Sequence, residues 1–205
     1  MKYENLLVTA SAYPTFGEDM LGSLGESKGY RKLQMIRWAE SGKVIRLKRG
    51  LYTLPEDKRK THFSLRWLAN TLCSPSYLSL EYMLSWYDMI PEKVSVLTSV
   101  STLKTTPFKN LLGFFQYRHI KRELFWGFVE ERDEFQFPLL VATPEKALLD
   151  YIYLYPHWEP SRKFMEENIR LQQLGQLQKK RLKEFSKKFS SKKISLATEG
   201  ILGLL

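Results

Sequence analysis

The stretch Lys43-Val44-Ile45-Arg46-Leu47-Lys48-Arg49-Gly50-Leu51-Tyr52-Thr53-Leu54 decides how this chain is read. Val44, Ile45 and Leu47 lead into a tip at Lys48-Arg49-Gly50, and Leu51, Tyr52 and Leu54 lead out, which is the pattern of a short β-hairpin. Four cations, Lys43, Arg46, Lys48 and Arg49, crowd onto it with no acid among them. A basic hairpin placed directly after a helix is how a winged helix-turn-helix grips a phosphate backbone. Double-stranded DNA is therefore the first partner to expect.

Upstream lie the helices that such a hairpin needs. Residues 3–12 read as a first helix stopped by Pro14, Thr15-Phe16-Gly17 as a turn, and 18–24 as a second helix ended at Gly25. Ser27 or Lys28 opens a third helix running to Ser41, with Gly42 as its terminator. This third segment is the expected recognition helix, with Lys28, Tyr30, Arg31, Lys32, Gln34 and Arg37 as candidate DNA contacts. Its exposed face is blurred, because Leu33, Met35, Ile36, Trp38 and Ala39 are too many apolar residues for one narrow stripe. Three helices and a wing place a winged helix-turn-helix domain at 1–60, closed by a polar junction at 55–60.

Residues 61–205 read as a small α+β domain with a mainly antiparallel sheet and a helical, basic C-terminus. Helices are expected at 62–72, 77–87 and 145–155, the last capped by Thr143 ahead of Pro144, and strands at 94–100, 113–120, 125–131 and 137–142. Tyr77, Tyr82, Trp86 and Tyr87 are assigned to its core, with a partner-binding surface as the sharper alternative. Residues 161–190 form one or two further helices. In the tail, 176–193, lysines alternate with Leu182, Phe185 and Phe189, which fits a solvated helix docked by its apolar side and equally an extra contact with DNA or an acidic protein.

The totals agree with a folded protein, and their positive charge fits a nucleic-acid partner, though solubility alone also explains it. Of 205 residues 43% are hydrophobic and 14% aromatic, too many for a disordered chain. The formal charge is +10, and it is unevenly spread: 26–62 and 160–205 each hold 11 Lys/Arg against 4 Asp/Glu, while the remainder is net acidic. Cys73 stands alone, so no intrachain disulfide or cysteine metal cluster can form. The N-terminus lacks the apolar run of a signal peptide and no 18-residue apolar stretch occurs, so a soluble, cytoplasmic protein with no membrane partner is expected.

No catalytic residue, metal ligand or cofactor is expected. His62, His119 and His157 are scattered without ligand spacing, and neither a Gly-x-Ser-x-Gly elbow nor a phosphate-binding glycine loop occurs. Glu145, Lys146 and Asp150 invite a nuclease reading, which would require Glu81, Glu145 and Lys146 to converge around a metal. Ordinary helix chemistry explains them better: an acid in the first turn and an i,i+4 ion pair.

Three segments together carry a family resemblance: the hairpin at 43–54, Ser76-Tyr77-Leu78-Ser79-Leu80-Glu81, and Val141-Ala142-Thr143-Pro144-Glu145-Lys146-Ala147-Leu148-Leu149-Asp150. In this order and spacing the chain resembles the AbiEi-type antitoxins, regulatory partners in the type IV toxin–antitoxin systems of bacteria. The similarity runs to about residue 155 and is weak over the lysine-rich tail. The resemblance implies an N-terminal winged helix that binds an inverted repeat in its own operon's promoter and represses it. It also implies a C-terminal domain that antagonises a cognate nucleotidyltransferase-like toxin in phage defence. Two protomers on a pseudo-palindromic site are expected, because one winged helix reads too few base pairs. The alternative is an interaction module that neutralises a partner without promoter control.

Replacing Arg46, Lys48 and Arg49 together by alanine is expected to weaken DNA binding and flatten its salt dependence. Unchanged affinity and slope in a DNA titration would remove the assignment of the hairpin as a wing.

Overall fold

The computed structural model describes every residue except Met1, Leu24, Glu26, Trp158, Pro160 and Arg162. Its first unit comprises α1 (Tyr3–Ala10), β1 (Phe16–Gly17), α2 (Glu18–Gly22), α3 (Lys28–Glu40), β2 (Ile45–Lys48) and β3 (Leu51–Thr53). Ser27 caps α3, its hydroxyl accepting from the Tyr30 N–H at 3.4 Å. At the other end Gly42 adopts a φ of +72°, which side chains with a Cβ resist, and the Lys43 and Val44 amides fold back onto the Trp38 carbonyl. That reversal delivers the chain straight from α3 into the hairpin.

Strand β3 lies between β1 and β2, antiparallel to both, with Phe16 opposite Tyr52 and Ile45 opposite Thr53. The turn expected at 15–17 is thus the edge strand β1. Two residues carry no alternation to detect, and their partner lies far along the chain. Gly17 permits the approach, since a Cβ there would sit 3.1 Å from the Gly50 carbonyl oxygen. Leu6, Phe16, Leu21, Met35, Trp38 and Tyr52 help close a small core under this sheet. The second helix ends at Gly22, earlier than expected, and residue 24 of the expected span lies outside the described residues.

The second unit comprises α4 (Leu65–Leu72), β4 (Ser76–Leu78), α5 (Leu80–Trp86), β5 (Leu97–Ser101), β6 (Thr106–Asn110), β7 (Gly113–His119), β8 (Phe128–Arg132), β9 (Pro138–Ala142) and α6 (Pro144–Leu154). A π-helical stretch at Phe164–Ile169, α7 (Lys179–Phe189) and α8 (Lys192–Leu202) follow. The six strands form one sheet in the order β6-β7-β5-β4-β9-β8. The class is α+β. The sheet is mixed: β4–β9 and β5–β7 are parallel, whereas β4–β5, β6–β7 and β8–β9 are antiparallel. Tyr77 and Tyr117 point to opposite faces, because Tyr77 pairs with Val100 and Tyr117 with its neighbour Ser99. The Tyr117 hydroxyl donates to the Ala69 carbonyl on α4, and that of Tyr77 reaches α6.

Several boundaries depart from local expectation for one reason. The helix expected over 77–87 begins as strand β4, because Tyr77 and Leu78 are claimed by β5 and β9, and Leu80, at φ 59°, then turns the chain into α5. The helix expected at 62–72 starts only at Leu65, where Ser64 caps it by accepting from the Trp67 amide. Strand β6 and helix α8 carry no clear signal of their own and exist by pairing with β7 and packing on α6 and α7.

Asp133 ties the start of α4 to the turn between β8 and β9. One carboxylate oxygen accepts from the Ser64 amide (3.1 Å) and hydroxyl (2.8 Å), the other from the Phe135 and Phe137 amides (3.0 and 2.8 Å). Burial pushes this carboxyl up, but the hydrogen bonds from Phe137, Ser64 and Phe135 outweigh it and hold the group below its ordinary value. A depressed folded pKa contributes stability above the unfolded value of about 4 and loses it as the pH falls further. Asp133→Ala is expected to cost about 3 kcal/mol in urea unfolding at pH 7. The gap from the parent chain should narrow below about pH 4; a gap independent of pH would sink this account.

Candidate nucleic-acid interface

Helix α3 divides its residues by angle. Met35 and Trp38 are buried in the small core, and Arg31 and Gln34 flank them at half-buried positions. The Arg31 guanidinium lies 3.8 Å from the Glu18 carboxylate with its side chain largely covered, so this candidate contact faces α2 and not solvent. Lys28, Tyr30, Lys32 and Arg37 are exposed. At 100° per residue the outermost line of the helix runs Gly29, Leu33, Ile36 and Glu40, with Lys28 and Lys32 along one edge and Tyr30 and Arg37 along the other. Leu33 is 47% and Ile36 39% exposed. The candidate set, built from cations with Tyr30 and Gln34, left these two exposed side chains out. The signal was the surplus of apolar residues on this helix, which no single buried stripe could absorb.

In the hairpin, Lys43, Arg46 and Arg49 are exposed. Lys43 is held over the Tyr3 ring at 5.2 Å, and its carbonyl accepts from the Tyr3 hydroxyl at 2.8 Å. Gly50, at φ +77°, makes the tight turn. Lys48 departs from its expected role at the tip. Its ammonium donates to the Leu72 carbonyl at the end of α4, at 2.9 Å, and the side chain is half-buried. Leu47 is buried in the larger core, and its carbonyl accepts from the Asn110 side chain on β6 at 3.1 Å. One side of the hairpin is therefore seated on the second unit, and the expected boundary at 60–61 cuts between units that share this seam. Of the ten candidate contacts, Lys28, Tyr30, Lys32, Arg37, Lys43, Arg46 and Arg49 remain open to a ligand, Gln34 is half-covered, and Arg31 and Lys48 have protein partners.

The two inner sequence landmarks meet in one buried network. Lys146 and Asp150, both fully buried, pair at 2.5 Å, and the other Asp150 oxygen accepts from Tyr77 and Ser79, each at 2.9 Å. The Lys146 ammonium also donates to the Leu124 carbonyl at 3.0 Å and lies 4.6 Å from the Trp126 and Phe189 ring centres. Burial pushes the lysine down and the aspartate up from their ordinary values, and the pairing opposes both shifts. The i,i+4 pair expected from spacing is formed, and it is buried and joined to β4 and the start of α5. The nearby acids are engaged elsewhere: Glu145 accepts from the Gln178 amide, and Glu81 lines a cavity of about 210 Å³ beside Arg118 and Tyr151. Among the described residues no three His, Cys, Asp or Glu side chains gather to hold a metal.

A second basic surface stands on α7. Leu182, Ser186 and Phe189 are buried, while Lys179, Lys180, Lys183, Lys187 and Lys188 are exposed. The tail is thus a helix docked by its apolar side with a lysine face left outward. Among the described residues no helix is long and apolar enough to cross a membrane. In comparison with known proteins, no family model matches the chain and no curated protein matches it.

Lys146→Met alone is expected to cost about 3–5 kcal/mol in denaturant unfolding, because it strands a buried carboxylate. Lys146→Met with Asp150→Asn should recover more than half of that loss. A single-substitution cost under about 1 kcal/mol would overturn the network's structural role.

Proposed function

We propose that this chain is a DNA-binding transcriptional repressor whose first unit is a winged helix-turn-helix, and that it also acts as the antitoxin of a type IV, AbiE-like toxin–antitoxin system. One observation carries the DNA reading. Lys28, Lys32 and Arg37 on α3 and Lys43, Arg46 and Arg49 on the hairpin are all exposed, on a helix and hairpin joined by the single reversal at Gly42. The order helix, strand, helix, helix, hairpin, with β3 central in its three-stranded sheet, supports α3 as the groove-entering helix. Hairpin cations then neutralise phosphates, and α3 meets base edges.

The antitoxin half rests on the resemblance, with the second unit as the toxin-facing part. The exposed lysine face of α7 favours an acidic partner surface there, or a further stretch of phosphate backbone. Two protomers on an inverted repeat in the promoter of the chain's own operon complete the picture, with autoregulation as the outcome.

The test is a titration of the full chain against duplex DNA from upstream of its own operon, at several salt concentrations. Specific binding with a steep salt dependence is expected. Arg46→Ala with Arg49→Ala should lower the slope of log affinity against log salt by about 2, since each arginine neutralises one phosphate. Lys48→Ala should leave that slope unchanged and lower the unfolding midpoint, since its partner is Leu72. No preference for the upstream duplex over a scrambled one would overturn the repressor reading. The antitoxin half is checked by co-expression with an adjacent nucleotidyltransferase gene, where rescue of growth is expected.

A further inference from the structure

The exposed centre of α3 holds hydrocarbon where a typical base-reading helix holds hydrogen-bonding side chains. Leu33 and Ile36 lie on its outermost line, 47% and 39% exposed, and neither can donate or accept a hydrogen bond. Gly29 continues that line toward the N-terminus. A Cβ there would meet nothing within 4 Å, so packing inside the protein does not call for a glycine, which is a poor helix former. Cations stand along both edges, Lys28 and Lys32 on one side and Arg37 on the other, with Lys43, Arg46 and Arg49 beyond on the hairpin. The one acid on the line, Glu40, is the last residue of the helix, away from the N-terminal end that leads into a groove.

We propose, resting on the DNA reading above, that α3 selects its site by the methyl groups of thymine in the major groove, through Leu33 and Ile36. Charge decides the occupant. Two flanks of cations match the two phosphate walls of a major groove about 12 Å wide, which sets the apolar line over the groove floor. The apolar group presented on that floor is the C5-methyl of thymine. A leucine or isoleucine over a guanine edge would cover O6 and N7 without offering them a partner, which penalises the wrong base. A thymine there gives burial of methyl against methyl instead. The missing side chain at Gly29 lets the N-terminal turn approach the floor closely. A second copy of the chain fits this face poorly, since Lys28, Lys32 and Arg37 of each copy would confront one another.

The test uses the full chain and a duplex enriched by selection from randomised DNA. Each thymine of that duplex is replaced in turn by deoxyuridine, which removes the methyl alone. Binding should weaken about fourfold at each methyl touched, the scale of one buried carbon. Leu33→Ala with Ile36→Ala should weaken binding to the parent duplex and erase the deoxyuridine effect. Lys28→Ala should weaken both duplexes equally. Equal binding of thymine and deoxyuridine duplexes, with preference for the selected sequence kept, overturns the methyl reading and leaves the DNA reading standing. Failure to enrich any duplex overturns both. Loss of a dimer or of an acidic partner protein in Leu33→Ala with Ile36→Ala, with base preference unchanged, also overturns it. The deoxyuridine series on the parent protein decides the matter even if the double variant fails to fold.

Discussion

The buried pair of Lys146 and Asp150 is the constraint around which the larger unit is assembled. A lysine and an aspartate with no exposed surface can coexist only if each finds its partners inside the protein. Those partners come from different parts of the chain: Tyr77 on β4, Ser79 at the start of α5, the Leu124 carbonyl, and the faces of Trp126 and Phe189. Directional bonds to so many elements allow α6 one rotation and one height against the sheet. A purely apolar α6 could slide or turn at modest cost. Gly127 shows how tight the fit is, because a Cβ there would stand 3.0 Å from the Lys146 side chain.

The same helix sets the position of the basic C-terminal face. Glu145, one residue before the lysine, accepts from the Gln178 amide at the entry to α7 and lies 3.7 Å from Arg181. Phe189 closes over the Lys146 ammonium from the far end of α7. With both ends of α7 tied to α6, its lysines face outward because Leu182, Ser186 and Phe189 are turned in. The exposed charge of the tail is thereby linked to an ion pair that solvent never reaches.

The hairpin couples this frame to the first unit. Leu47 and Lys48 are drawn into the second unit while Arg46 and Arg49 stay outside. One short hairpin thus serves as an interdomain clamp along one side and as an exposed basic surface along the other.

Local chemistry was legible in the sequence wherever a residue's neighbours in space are also its neighbours in the chain. Ser27 or Lys28 as the start of α3, Thr143 as a cap, Pro144 at a first helical turn, Gly42 as a stop and the hairpin at 43–54 are all of this kind. So was the α+β class, from the change of period after residue 61. Strands β1, β4 and β6 were not legible, because two to five residues carry no useful period and their existence depends on partners far along the chain. The candidate site divided in the same way. The sequence singled out the cations of α3 and the hairpin as a group, but could not tell Lys48, bonded to Leu72, from Arg49, which is exposed. It likewise showed too many apolar residues on α3 without saying that Leu33 and Ile36 are the ones left out. Composition and spacing by themselves determined which helices and turns could form and where positive charge would concentrate. Only the tertiary structure decided which of those charges and apolar groups face solvent, because burial is set by whatever distant segment the topology brings alongside.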